Sequence, residues 1–181
     1  MQRYESSFVV EATPAEIWLL WFPPWPPNLP RGELHVLEMD DVRIEIAHPG
    51  DAVHEGLVRH CYYAVPKYLL SNGKAESWEL VTDVVPQVSY RYRAVTRPPF
   101  AFAEGRQALE DLGNGYTRVH FSESYSVSNP ILRVLLERRL HAFISRDNDT
   151  VIKAAVERGL AMLRAAADGA GKEFPPEGQA G

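Results

Sequence analysis

Alternation of apolar and polar residues dominates the chain as far as residue 127, and a helical period replaces it afterwards. Tyr4, Ser6, Phe8 and Val10 fall on one face of a first strand, with Glu5, Ser7 and Val9 on the other. Thr13-Pro14-Ala15-Glu16 then predicts a helix start. Thr13 can cap, Pro14 fits the first position, where an N–H is not needed, and Glu16 stands at capping-box spacing. Ile17, Trp18, Leu20 and Trp21 give this short helix an apolar surface. Five prolines between Phe22 and Pro30 forbid a regular helix, so a rigid, extended connection with Trp25 packed on the body is expected. A proline-rich docking peptide is the alternative, but such peptides normally lie in disordered regions.

Strand candidates follow at Leu34–Met39, Val42–Ala47 and Gly56–Val65. A hairpin signal at Ser71-Asn72-Gly73-Lys74 leads into Ala75–Val85, which sets Trp78, Leu80, Thr82 and Val84 on one face. Val88–Val95 alternates Tyr90, Tyr92 and Ala94 against Arg91 and Arg93. Phe100–Leu112, the turn Gly113-Asn114-Gly115 and Tyr116–Val127 complete the series. In the last strand Thr117, Val119, Phe121, Glu123 and Tyr125 share a face. Asn129 and Pro130 then open a helix predicted to run to about Ala167. Leu136, Leu140, Phe143, Ile144, Val151, Ala155 and Met162 fall on one side of it, together with the charges of Asp147 and Arg158. Strands joined by short turns make an antiparallel sheet, and one long apolar helix must be covered by it. The expected fold is α+β: a curved antiparallel sheet of about six or seven strands wrapped around a long C-terminal helix, with a short N-terminal helix. Residues 1–168 form the expected domain, and 169–181, small, polar and broken by prolines, a disordered tail.

Composition narrows the function. The chain has 181 residues, 45% of them hydrophobic, enough for one domain with a real core. A formal net charge of −5 and no basic stripe argue against nucleic acid as a partner. Cys61 is the only cysteine, so no intrachain disulfide can form. The first residues lack a signal-peptide apolar region, and no stretch approaches a membrane span. A cytoplasmic protein without stable membrane insertion is expected. The six histidines are scattered, and His54-Glu55 lacks the second histidine of a zincin helix, so neither a metal nor another cofactor is expected. No Gly-x-Ser-x-Gly turn or phosphate-cradling glycine loop is present.

The order of these segments resembles the START-like, or SRPBCC, helix-grip superfamily, which includes birch-pollen-allergen-like proteins, polyketide cyclases and dehydrases, and lipid-transfer domains. The likeness covers residues 4–167. It is carried by Ser6–Glu11 running into Thr13-Pro14-Ala15-Glu16-Ile17-Trp18, by the Trp21–Trp25 segment, by Gly56-Leu57-Val58-Arg59, and by Gly115-Tyr116-Thr117-Arg118-Val119 before a proline-opened helix. The resemblance implies an apolar cavity between sheet and helix.

In such a cavity Glu123 points inward by alternation. A carboxylate among apolar groups is pushed toward its neutral form, which suits acid/base work; pairing with an arginine, or a place at the wet strand end, is the alternative. Arg59 and His60 compete for one inward role on their strand. An inward Arg59 could hold a ligand oxygen or join Glu123 in catalysis. The expected lining is Trp25, Trp78, Tyr90, Tyr92, Gln107, Phe121 and Tyr125, with Phe143, Asp147 and Val151 from the helix. Ordinary core packing competes for Trp78 and the tyrosines. The function expected is binding of a hydrophobic small molecule: a lipid, a polyketide, or an aromatic or isoprenoid compound. A polyketide cyclase/dehydrase that moves protons with Glu123, Arg59 and a tyrosine is the second reading, and a ligand-free interaction module the third.

Overall fold

The computed structural model describes residues 2–23, 35–39, 42–64, 74–96, 100–127, 133–134, 152–165 and 167. Eight strands form one antiparallel sheet: β1 (Gln2–Val10), β2 (His35–Met39), β3 (Val42–His48), β4 (Val58–Ala64), β5 (Lys74–Val85), β6 (Ser89–Thr96), β7 (Phe100–Gly113) and β8 (Tyr116–Val127). Their order is β1-β8-β7-β6-β5-β4-β3-β2. The sheet is thus a meander from β2 to β8, with β1 added beside β8. It reaches eight strands because both segments between residues 34 and 47 pair, β2 on β3 and β3 on β4.

Helix α1 (Pro14–Trp21) starts as its sequence dictates. The Thr13 hydroxyl accepts from the Glu16 N–H, and the Glu16 carboxylate accepts from the Thr13 N–H, closing the capping box. Residues 152–165 form the second helix described, α2. Its buried side differs from the one expected. Val156, Gly159 and Leu160 are buried and Ile152 packs on the core, whereas Arg158 is exposed and Met162 is 67% exposed. The buried stripe therefore lies about one residue further along, which takes Arg158 into solvent and leaves the described inner side without a charge. Residues 135–151 of the predicted long helix, including Phe143, Asp147 and Val151, lie outside the described residues. So do Trp25, the predicted hairpin turn at 71–73 and the tail at 169–181.

Burial identifies the inner face strand by strand. It carries Tyr4 and Val10 of β1, Ile46 of β3, Cys61 of β4, Ser77, Glu79 and Val81 of β5, Tyr90, Tyr92 and Ala94 of β6, Leu109 of β7, and Thr117, Val119 and Phe121 of β8. Ile17, Trp18 and Phe22 from the α1 region, and Val156 and Leu160 from α2, join the same cluster. The β1–α1 connection is tied to β8 and to α2. The Thr117 hydroxyl donates to the Ala12 carbonyl at 2.7 Å, and Arg164 of α2 donates to the Glu11 carbonyl and the Glu16 carboxylate. Gly159 gives α2 close access to α1: a Cβ there would stand 2.6 Å from Leu20 Cδ1. No helix among the described residues is long and apolar enough to cross a membrane.

Candidate functional site

The inner face has a polar strip at its centre, set by strand register. Glu123 of β8 lies opposite Tyr4 of β1 on one side and Gly105 of β7 on the other. Gly105 in turn lies opposite Tyr92 of β6, which lies opposite Val81 of β5. Tyr92 and Glu123 are thus two strands apart, and the strand between them has no side chain at that point. A Cβ on Gly105 would sit 2.4 Å from Cε1 and Cζ of Tyr92. The missing side chain lets the Tyr92 ring lie over β7, where its hydroxyl donates to Glu123 Oε1 at 2.9 Å. A mid-strand glycine often marks such a close approach. Gly105→Ala should therefore push the ring off β7, break the Tyr92–Glu123 bond and cost about 2 kcal/mol of stability by overpacking. Chemical unfolding measures the loss, and a variant as stable as the wild type would show that the ring does not need the gap.

Glu123 has no cation partner among the described residues. Its side chain is half-buried on the inner face, with Tyr4 opposite it in register and Phe121 two residues along the same strand. Burial pushes its carboxyl up to about 7, opposed by the Tyr92 hydrogen bond and reinforced by the negative charge of Glu79. Both protonation states are therefore populated near neutral pH.

One row further along, Arg59 of β4 faces Glu79 of β5 in register. Nε and one terminal nitrogen of Arg59 both lie 2.8 Å from Glu79 Oε2, and the Ser77 hydroxyl donates to Oε1 at 3.0 Å. Both charged side chains are well buried, 14% and 6% exposed, so the pair is held away from bulk water. The Arg59 guanidinium also stands 5.9 Å from the Tyr92 ring centroid, joining the two polar rows. Tyr90 is almost fully buried beneath them, and burial pushes its hydroxyl up.

The two residues that competed on β4 are thereby separated. Arg59 faces inward. His60 faces outward, stacked on Trp78 at 4.2 Å and beside Tyr62, its Nε2 3.2 Å from a Glu76 carboxylate oxygen but without a hydrogen bond to it. Trp78 accordingly leaves the expected lining: it is 48% exposed on the outer face. The inner side of β5 is the polar-looking one, Ser77 and Glu79, because Glu79 meets Arg59 there. Val84 shares the parity of Trp78 yet packs on the core. The register shifts between Thr82 and Val85, and Asp83 takes a positive φ of 53°, so the strand turns over at that point. Tyr90, Tyr92, Gln107 and Phe121 lie on the inner face as expected. The Gln107 amide has no hydrogen-bond partner among the described residues. The side chain of Tyr125 lies outside the description. Glu79, Ser77 and Gly105 were not singled out from the sequence; the glycine inside Phe100–Leu112 was the signal available for the last of them.

No protein-family model matches the chain, and no curated protein matches it. Solved structures do. The Zhui aromatase/cyclase from Streptomyces sp. R1128 superposes with a TM-score of 0.58 at 14% identity, over 91% of this chain and 97% of that one. TTHA0849 from Thermus thermophilus gives 0.57 at 18% identity, over 89% and 99%. Ara h 8.0201 gives 0.53 at 12% identity, over 88% and 98%. At these identities the likeness is one of architecture, and it agrees with the eight-stranded antiparallel sheet packed on α2: the chain has the helix-grip fold of these structures.

Proposed function

We propose that the protein binds a hydrophobic small molecule between the inner face of the sheet and α2, with the polar end of the molecule at Glu123 and Tyr92. One observation carries this reading: polar side chains on the apolar inner face keep accessible surface. Phe8, Gln107, Glu123 and Ile152 all face the interior and all keep accessible surface. Gln107 and Glu123 lie on one face of adjacent strands, and a half-buried amide and carboxyl among apolar residues are positions where the polar groups of a ligand can bond. Apolar walls with a few convergent polar groups are the usual form of a small-molecule site.

The state of Glu123 favours a second reading, proton transfer on the bound molecule in the manner of a polyketide cyclase or dehydrase. A carboxyl held at about 7 beside a tyrosine hydroxyl can take and return a proton at neutral pH. Titration with the neutral, environment-sensitive dye Nile red tests binding: one saturable site of micromolar affinity is expected, and its absence overturns the proposal. Proton exchange at the central carbon of a bound β-diketone tests chemistry. There Glu123→Gln should cost roughly two to four orders of magnitude in rate with affinity retained, and an equal rate in the variant would leave binding alone.

A further inference from the structure

Among the described residues the charges on the inner face do not balance. Arg59 is committed: two of its nitrogens lie on Glu79 Oε2, and Ser77 takes up the other oxygen of that carboxylate. Glu123 receives one hydrogen bond, from Tyr92 to Oε1. Among the described residues nothing donates to Oε2. Among the described residues the central strip thus carries two carboxylates against one guanidinium, and the open position is an acceptor. Aromatic rings surround it: Tyr4 lies opposite Glu123 in register, Phe121 stands two residues along the same strand with its ring 5.9 Å from that of Tyr4, and Tyr92 reaches over from β6.

We infer that the site selects hydrophobic molecules whose polar end is a protonated amine, donating to Glu123 Oε2, and disfavours those ending in a carboxylate. The inference rests on the binding reading proposed above and adds its chemical class. An ammonium makes a charge-assisted hydrogen bond to the carboxylate and gains from the surrounding rings. A carboxylate would face Glu123 and Glu79 with the inward guanidinium already bound. Fatty acids are therefore the wrong probe for this cavity, although the fold alone would suggest them.

The groups facing Glu123 define its pH dependence. Among the described residues they are Tyr92 of β6, Glu79 of β5 with Arg59 of β4 behind it, and Tyr4 of β1. From β7 come Gly105 and the neutral Gln107, and from α2 the described inner side chains Ile152, Ala155, Val156 and Leu160 are apolar. An ammonium binds the ionised form of Glu123, so its affinity should rise with pH towards 7 and level off above it.

Displacement of Nile red by decylamine, decanol and decanoate separates the possibilities, since the three share one chain and differ in charge. At pH 8 decylamine should bind about tenfold tighter than decanol, and decanoate about tenfold weaker or worse. The amine preference should shrink at pH 5.5, and Glu123→Gln should remove it at both pH values. Decanol binding with no amine preference, or decanoate binding best, overturns the inference while leaving the binding reading in place. Failure of all three to bind removes both. The wild-type pH profile needs no variant, so a poorly folded mutant would not prevent the decision.

Discussion

At pH 8 Glu123→Gln should be more stable than the wild type, and the two should converge as the pH falls below about 5. The difference comes from one proton. In the unfolded chain the carboxyl ionises near its ordinary 4.5, whereas in the folded protein burial holds it to about 7. Between those values the folded state keeps a proton that the unfolded state has lost. Stability therefore falls as pH rises through that window, and stays low above it. The shift corresponds to about 3 kcal/mol at most, so ionised Glu123 costs the wild type a large fraction of an ordinary domain's stability. Glutamine keeps the acceptor for Tyr92 and has no charge to desolvate. Chemical denaturation of both proteins at pH 5, 6.5 and 8 measures the difference directly. A variant less stable than the wild type at pH 8 would mean that a cation does stabilise Glu123, and the unbalanced charge of the site would be disproved with it.

Arg59→Met should act in the opposite direction and more strongly. It removes the partner from Glu79, whose side chain is only 6% exposed, and leaves a buried carboxylate with the Ser77 hydroxyl as its remaining contact of those described above. Loss of one member of a buried pair typically costs about 3 to 5 kcal/mol, because the remaining charge loses its counter-ion at a place held away from water. The cost should be smaller at low pH, where Glu79 can take up a proton instead. Replacing both members, Arg59→Met with Glu79→Leu, should recover most of the loss, since no charge then remains to be desolvated. Urea unfolding of the single and double variants beside the wild type at pH 8 and pH 5 tests this. A single variant within experimental error of the wild type would place the pair in solvent.

Most of the architecture was legible because it rests on period and punctuation. Thr13-Pro14-Ala15-Glu16 set α1 in place through local hydrogen bonds, and alternation in Tyr116–Val127 put Glu123 on the inner face. Alternation does not say which face is inner when both look plausible. Trp78 was expected to line the interior, yet it is exposed and Ser77 and Glu79 of the opposite face are buried, because cross-strand pairing with Arg59 outweighs apolar appearance. That pairing depends on register between β4 and β5, which no stretch of sequence states. The rotation of α2 was similarly underdetermined: its apolar residues are spread widely enough for two faces, and the charge of Arg158 was the clue that favoured the one observed. Tyr92 meeting Glu123 requires three strands in register and a glycine between them, a relation among residues far apart in the chain.

The position of β1 has a consequence for how the chain folds. Strands β3 to β8 each pair with the strand before them, so they can add in order as the chain lengthens. β1 instead pairs with the last strand, Gln2 with Tyr125 and Val10 with Thr117. Closing that contact brings together residues separated by nearly the whole sheet, and long-range closures of this kind slow folding. During synthesis β1 has no partner until β8 emerges, and its alternating Tyr4, Phe8 and Val10 stay uncovered for that whole interval. Completion of the sheet, and with it the wall that holds Glu123, waits on the first strand being still available when the last one arrives.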